Sequence, residues 1–375
     1  MKIAVIGWYG TETIGDRAIL AGLLSVFSEA FGEFELLLGS LNPVFTERTV
    51  YEDMDFYRKC AKNQNISITV FNSQKDSELR KAIRICKLLA IGGGPLMDLI
   101  EMRMLEYAFV YAKRKKKPTA LLGCGWGPLK ERDTIDIAKR LVSLADLSIF
   151  RDNTSKRQCN DLNGFEIQAL IDPAFFACDR FLQIVDERSN RSFVAVNLRD
   201  VKAEANHYAQ GNYTTLFADM LKTIAGQLDL PIKLIPMHNF NIGGDDRVFL
   251  DQVVHGCGCG NVSTVWETLS LYDTMLLYYH AKYCFGMRFH SVVLQSYLNG
   301  YNYIIDYTDP QTGKIIGMLR QLDILEKYED RYFSLFDSQL STIDFKLSET
   351  RACTISKDVI TKYKKEYVRL LKAII

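Results

Sequence analysis

Short apolar runs alternate along this chain with longer stretches in which apolar residues recur every three or four positions. In the first half the short runs fall at 2–7 (KIAVIG), 34–40, 66–72, 87–93, 119–125, 147–152 and 165–171. Runs of that length with little internal alternation predict strands buried on both faces, and the amphipathic stretches between them predict the covering helices of a parallel sheet. The clearest helix is expected over 16–31, where Ile19, Leu20, Leu23, Val26 and Phe27 form one apolar stripe and Asp16 is placed to cap. Another is expected over 132–145.

Between Cys178 and Arg191 the chain turns polar (CDRFLQIVDERSNR) and the pattern then restarts, which predicts an interdomain linker. The second half reads as a strand at 193–199, a helix at 213–227, a strand at 232–238, helices at 245–255 and 265–280, a strand at 282–288, a helix from His290 and a strand at 301–307. The last twenty residues carry an amphipathic helical pattern. The fold class that follows is α/β, with two Rossmann-like doubly wound domains at 1–180 and 190–330 and a C-terminal helix within 350–375. By analogy of fold, two such domains facing a cleft make a glycosyltransferase-B-like architecture.

Composition adds exclusions. A chain of 375 residues is too long for one ordinary core, which supports the division into two domains. The formal net charge of +1 gives no reason to expect a nucleic-acid partner. The opening apolar run is too short for a signal-peptide core, and no segment reaches the roughly 18 continuous apolar residues of a spanning helix, so a cytoplasmic protein is expected. Nine cysteines scattered over the length suit a reducing compartment. The one dense cluster, His255-Gly256-Cys257-Gly258-Cys259, lacks a second ligand pair at zinc-site spacing and is read as a glycine-rich turn, with no metal expected. His207 and His280 have no supporting context and are taken as surface or helix residues. Asp172-Pro173 is taken to fix a turn at the domain crossing.

Four strand-to-helix junctions carry candidate chemistry. The first, Gly7 to Asp16, places Gly10 where backbone amides can approach a ligand ahead of a helix N-terminus, and a tight packed turn explains it equally well. The second, Gly92-Gly93-Gly94-Pro95, and the third, Gly123-Cys124-Gly125-Trp126-Gly127, leave the same two readings open. The fourth is the sharpest: Gly286-Met287-Arg288-Phe289-His290-Ser291 ends a strand and opens a helix. Alternation along an extended segment would put Arg288 and His290 on one side. An arginine clamps phosphate or carboxylate, and a histidine can exchange a proton near neutral pH, so the pair supplies an anion site and an acid/base group together. Arg199, ending the strand VAVNLR, and His238, ending IKLIPMH, are further candidates for the same edge.

The ordered series GWYGTETIGDRAIL, IGGGPLMD, GCGWGP, FRD with DPAF, VAVNLR, IPMH followed by DD, and GMRFH with IIDY resembles the polysaccharide pyruvyl transferase family over residues 1–320. The resemblance implies a transferase of glycosyltransferase-B-like fold that uses phosphoenolpyruvate as donor substrate, with no cofactor, and forms a pyruvate ketal on a sugar of a cell-surface polysaccharide or its lipid-linked precursor. It implies a catalytic role for His290 with Arg288 beside it, and donor binding by Arg199 and Arg288; Gly10, Gly93, Gly94, Gly125 and His238 are the further donor-site candidates. Two departures stand out: GCGWG carries no histidine, and Arg17 occupies a commonly acidic position. A lipid-linked acceptor would bring the protein to the inner membrane face, with which the Lys113–Lys117 run and the terminal helix are compatible. The rival readings are a nucleotide-sugar glycosyltransferase on the same architecture and a non-catalytic anion-binding member of the family.

Overall fold

The computed structural model describes residues 1–11, 13–92, 94–163, 167–201, 213–239, 244–337 and 345–375. Two compact units result, one of Met1–Arg180 with Lys357–Ile375, the other of Phe181–Ser356.

The first unit follows the predicted alternation. In order it contains β1 (Lys2–Ile6), α1 (Ile14–Phe31), β2 (Glu35–Ser40), α2 (Pro43–Ala61), β3 (Ser67–Asn72), α3 (Asp76–Ile85), β4 (Leu88–Gly92), β5 (Pro95–Leu96), α4 (Met102–Arg114), β6 (Thr119–Trp126), α5 (Arg132–Leu144), β7 (Leu147–Phe150), α6 (Asn153–Asn163), β8 (Gln168–Ala169) and α7 (Ala174–Ile184). Among the described residues the strands form one sheet in the order β3-β2-β1-β4-β6-β7-β8, with β5 on β6, and every pairing is parallel. A parallel sheet covered on both faces needs strands apolar at every position, and Ile3 to Ile6 and Leu88 to Gly92 are buried throughout.

The second unit contains β9 (Phe193–Asn197), α8 (Tyr213–Gln227), β10 (Ile232–Leu234), α9 (Asp246–Cys257), β11 (Val262–Thr264), α10 (Leu271–His280), β12 (Ala281–Gly286), α11 (Phe289–Leu298), β13 (Asn302–Asp306), α12 (Lys314–Gln321) and β14 (Tyr332–Ser334). Its sheet, again parallel throughout, runs β11-β10-β9-β12-β13-β14. The chain lays β9, β10 and β11 toward one edge, then returns to the other side of β9 with β12. That reversal makes β9 and β12 the topological switch point, the place where ligands sit in open α/β sheets.

The last helix, α13 (Lys357–Ala373), rejoins the first unit. Its apolar face is spent on packing: Ile360, Tyr367 and Leu371 are buried, the Tyr367 hydroxyl donates to the Ile171 carbonyl at 2.8 Å, and Lys364 pairs with Glu29 at 3.0 Å. The lysine run is likewise partly engaged, Lys113 with Asp146 and Lys117 with the Cys86 carbonyl. No helix among the described residues is long and apolar enough to cross a membrane.

Several expected boundaries move, each for a local reason. The cap of α1 is Thr13, whose hydroxyl accepts from the Asp16 amide and donates to the Asp16 carboxylate. The expected linker at 178–191 is half helix: α7 continues to Ile184 with Phe181 fully buried. Asp172 accepts from the Ala174 amide at the start of that helix. The strand at 232–238 stops at Leu234, because Pro236 has no ladder N–H to give. The helix expected over 265–280 is shorter: a connection follows β11, and α10 begins at Leu271 after its cap Ser270. His280 is a buried residue, accepting from the Asn190 amide at 3.2 Å and facing Glu187. Gly258, with φ of +67°, ends α9 in the left-handed region that favours glycine, within the stretch expected as a glycine-rich turn.

Candidate functional site

The switch point of the second unit is built from three loops tied to one another. Asn197, the fully buried last residue of β9, accepts the Arg288 amide at 3.0 Å and donates its side-chain NH2 to the Ile235 carbonyl at 2.9 Å. The Arg199 amide reaches the Met287 sulfur at 3.3 Å. One asparagine therefore fixes the chain leaving β9, β10 and β12.

Asp246 provides the second tie. It is the first residue of α9 and only 3% exposed. Its carboxylate accepts the amides of Met237 and His238 at 3.0 and 3.1 Å, and the Arg288 guanidinium grips both its oxygens, Nε lying 2.7 Å from one of them. A buried carboxylate is costly unless every lone pair is used, and here donors from two loops use them. The consequence for Arg288 is orientation. Its Nε edge is committed to Asp246 while the side chain stays 20% exposed.

Around Tyr307, directly after β13, the cations converge. The Arg199 guanidinium lies 4.7 Å from the ring centroid and the Lys314 ammonium, at the start of α12, lies 5.1 Å from it. Burial pushes the phenol up, but Lys314, then Arg199, the hydrogen bond from Lys314, and Arg288 reverse this and bring it down to about 8. Asp306, next to it, is fully buried, is held by Thr308 and Tyr332, and has its carboxyl raised by burial.

Arg288 and His290 are not on one side of an extended segment, as alternation implied. Arg288 is extended (φ −69°, ψ 142°) and caps α11, whereas Phe289 is already helical, so His290 occupies the second helical position. It is half-buried, its ring edge-on to Phe289 at 5.1 Å. His290 thus belongs to the N-terminal turn of a ten-residue helix, where peptide dipoles favour an anion. His238 contributes its backbone to Asp246, and its side chain is buried.

The glycine candidates lie in the other unit, and the room they provide is occupied by the protein. A Cβ on Gly10 would stand 2.5 Å from the Asn42 nitrogen, and one on Gly125 would stand 2.6 Å from the Arg151 guanidinium. At Gly94, with φ of +68°, it would strike the Trp8 indole, whose N–H donates to the Pro95 carbonyl at 2.9 Å. Packed protein atoms meet all three positions, Gly10 and Gly94 beside the switch point between β1 and β4 and Gly125 near the end of β6. Gly93 and His207 lie outside the described residues. The residues that sequence reasoning missed are Asn197, Asp246, Tyr307 and Lys314. The signal for the last three was a polar residue opening a helix or closing a strand on the same sheet edge as Arg199 and Arg288.

The chain is similar in fold to several solved structures. The S. aureus MnaA structure with UDP is 12% identical, with 98% of this chain and 97% of that one covered and a TM-score of 0.57. A UDP-GlcNAc 2-epimerase of Methanocaldococcus jannaschii is 10% identical over the whole of both chains, TM-score 0.55. A glycosyltransferase from Rickettsia africae is 9% identical, covering 100% and 94%, TM-score 0.52. These likenesses establish the two-domain, glycosyltransferase-B-like fold. No protein of curated function matches the sequence significantly. Residues 14–294, which contain the switch point between β9 and β12 and the Arg-Phe-His turn, match the family model described as polysaccharide pyruvyl transferase, and on that match the chain belongs to the polysaccharide pyruvyl transferase family.

Proposed function

We propose that the protein transfers pyruvate from phosphoenolpyruvate, as a ketal, onto two hydroxyls of one sugar of a cell-surface polysaccharide or its lipid-linked precursor. The observation that carries this reading is the convergence of Arg199, Arg288 and Lys314 around Tyr307 at the sheet's switch point, beside the N-terminus of α11. Phosphoenolpyruvate presents a carboxylate and a phosphate, and guanidinium, ammonium and helix-terminal amides are the groups that receive such anions. A donor of this kind calls for no cofactor.

In the reaction the methylene carbon gains a proton and the adjacent carbon becomes electrophilic. One sugar hydroxyl adds there, the C–O bond to phosphate breaks, and the second hydroxyl closes the ketal. One hydroxyl proton balances the proton taken up by carbon and the other leaves with phosphate. His290 handles the proton at carbon. Arg199 and Lys314 hold the donor, and Arg288, aimed by Asp246, stabilises the charge that develops on the departing phosphate. Acting on a lipid-linked acceptor, the protein would work at the inner membrane face.

The test is thermal unfolding with phosphoenolpyruvate and with uridine and cytidine nucleotides. At about a hundred times its dissociation constant a ligand adds roughly 2.7 kcal/mol. Phosphoenolpyruvate is expected to stabilise the protein, and Arg199→Ala to lose both that shift and turnover. His290→Ala is expected to keep the shift and lose turnover; normal turnover by this variant would overturn its assignment. Stabilisation by a nucleotide instead would favour a nucleotide-sugar donor.

A further inference from the structure

Lys314 stands where a helix on its own would not choose it. It is the first residue of α12, next to the cap Gly313, and the first turn of that helix holds no acidic side chain. A cation there works against the peptide dipoles, which favour negative charge at a helix N-terminus. Breaches of a local rule of this kind are expected where function uses the residue.

The loop that leads to Lys314 is closely specified. The Asp306 carboxylate, fully buried at the end of β13, accepts the Thr308 amide at 2.7 Å and the Thr308 hydroxyl at 2.6 Å. Its other oxygen accepts the Tyr332 hydroxyl at 2.7 Å. The two bonds to Thr308 close around Tyr307, so the ring that Lys314 approaches is held by the residues on either side of it. Further on, the Asp309 carboxylate accepts the Gln311 and Thr312 amides at 2.9 and 2.7 Å, and the Asp309 carbonyl accepts the Gly313 amide at 2.7 Å. The chain is turned back until Gly313 lies against Thr308. A Cβ on Gly313 would strike the Thr308 hydroxyl and the Asp309 carbonyl. With φ of −65° and ψ of 157°, Gly313 has a backbone open to any residue, so the glycine is needed for room and not for conformational freedom.

We propose that Thr308, held by Asp306, is a positioning residue for Lys314: its hydroxyl, fitted against Gly313, sets where α12 begins and therefore where the Lys314 ammonium meets the donor. This rests on the reading of Lys314 as a donor-binding residue, whichever anionic donor that is. A lysine carries its charge on a flexible stem, so its head is placed from two ends. The Tyr307 ring, 5.1 Å from the ammonium, acts at the head, and the helix start acts at the backbone. Asp306 and Thr308 fix both ends. A shift of about 1 Å at the helix start is enough to carry a donor group out of hydrogen-bond range of an anion.

The test is calorimetric binding of phosphoenolpyruvate to the full chain. The natural protein is compared with Lys314→Met, Thr308→Val, Thr308→Ser and Gly313→Ala, and with Thr308→Val and Gly313→Ala each combined with Lys314→Met. One hydrogen bond to a charged group corresponds to about tenfold or more in affinity. Lys314→Met, Thr308→Val and Gly313→Ala are each expected to lose about that factor, and Thr308→Ser, which keeps the hydroxyl, to bind as the natural protein does. The double variants are expected to bind no more weakly than Lys314→Met alone, because Thr308 and Gly313 act through that ammonium. A loop that only stabilises the fold would change affinity by the same factor with and without Lys314.

Losses that add in the double variants overturn the proposal, as does natural affinity in Thr308→Val. The valine variant carries this test even where Gly313→Ala does not fold. If Lys314→Met binds phosphoenolpyruvate as the natural protein does, the donor role of Lys314 falls and its positioning with it. If Lys314→Met is weakened and Thr308→Val is not, the donor role stands and the positioning falls. If uridine diphosphate is bound in place of phosphoenolpyruvate, with the expected pattern across the variants, the positioning stands and pyruvyl transfer falls. Binding of neither overturns both.

Discussion

At the residue scale the site is organised by two polar side chains that are buried and touch no solvent, Asn197 and Asp246. Removing one partner of a buried, hydrogen-bonded ion pair strands the other, which is why such changes are costly out of proportion to the pair's net worth. Asp246→Ala is therefore expected to lower stability by about 3 kcal/mol in urea unfolding and to weaken donor binding by freeing the Arg288 guanidinium. Arg288→Lys is expected to fold yet lose most of the activity, because an ammonium cannot grip both carboxylate oxygens and still present a planar edge. Tyr307 also leaves a mark on stability. Its folded value of about 8 lies below the value near about 10 of an unfolded chain, so between those values the unfolded state holds the extra proton. Stability should accordingly rise with pH through this window relative to Tyr307→Phe, and be equal in both proteins below it. Urea midpoints at about pH 7 and about pH 9.5 check the sign.

At the element scale the glycine loops of the first unit and the capped helix of the second show how similar sequence signals serve different ends. Gly94 and Gly123 both have φ of +68°, and a Cβ on either would meet packed atoms, the Trp8 ring or the Pro173 ring. Gly94→Ala and Gly123→Ala are each expected to cost about 2 kcal/mol or more, seen as a Tm lowered by about 4–8 °C. A ligand-contact role alone would leave Tm unchanged. The helix boundaries follow short-range chemistry, as Thr13 and Asp16 at α1 show, and Thr13→Ala should cost about 1 kcal/mol. Alternation suggested a shared side for Arg288 and His290 because it assumes a strand period. The capped helix begins between them and changes the period to one residue per 100°.

At the scale of the whole molecule the first unit is completed by the last helix. Ile360, Tyr367, Val368 and Leu371 are buried in it, and at roughly 1.5–3 kcal/mol each this burial matches the net stability of an ordinary domain. A chain ending at Ser356 is expected to lose cooperative unfolding of the first unit and to be cut there by protease at low concentration. Restoring 357–375 as a separate peptide should recover protection. An unaltered digestion pattern after truncation would show that α13 is dispensable.

The α/β alternation and the parallel sheets were legible in the sequence one residue at a time, because strands buried on both faces must be apolar at every position. Arg199, Arg288 and His290 stand out in the sequence as candidates by residue type, Arg199 after β9 and the other two where β12 gives way to α11. The family resemblance over most of the chain was visible in the same motifs and is matched over residues 14–294. Only the tertiary structure decided the rest. That the glycine loops close on Trp8, Asn42 and Arg151, that Asp246 aims Arg288 and that Arg199 and Lys314 both approach the Tyr307 ring are outcomes of loops far apart in sequence meeting at the ends of the sheets. Strand order is set by which edges pair, and no local pattern records it.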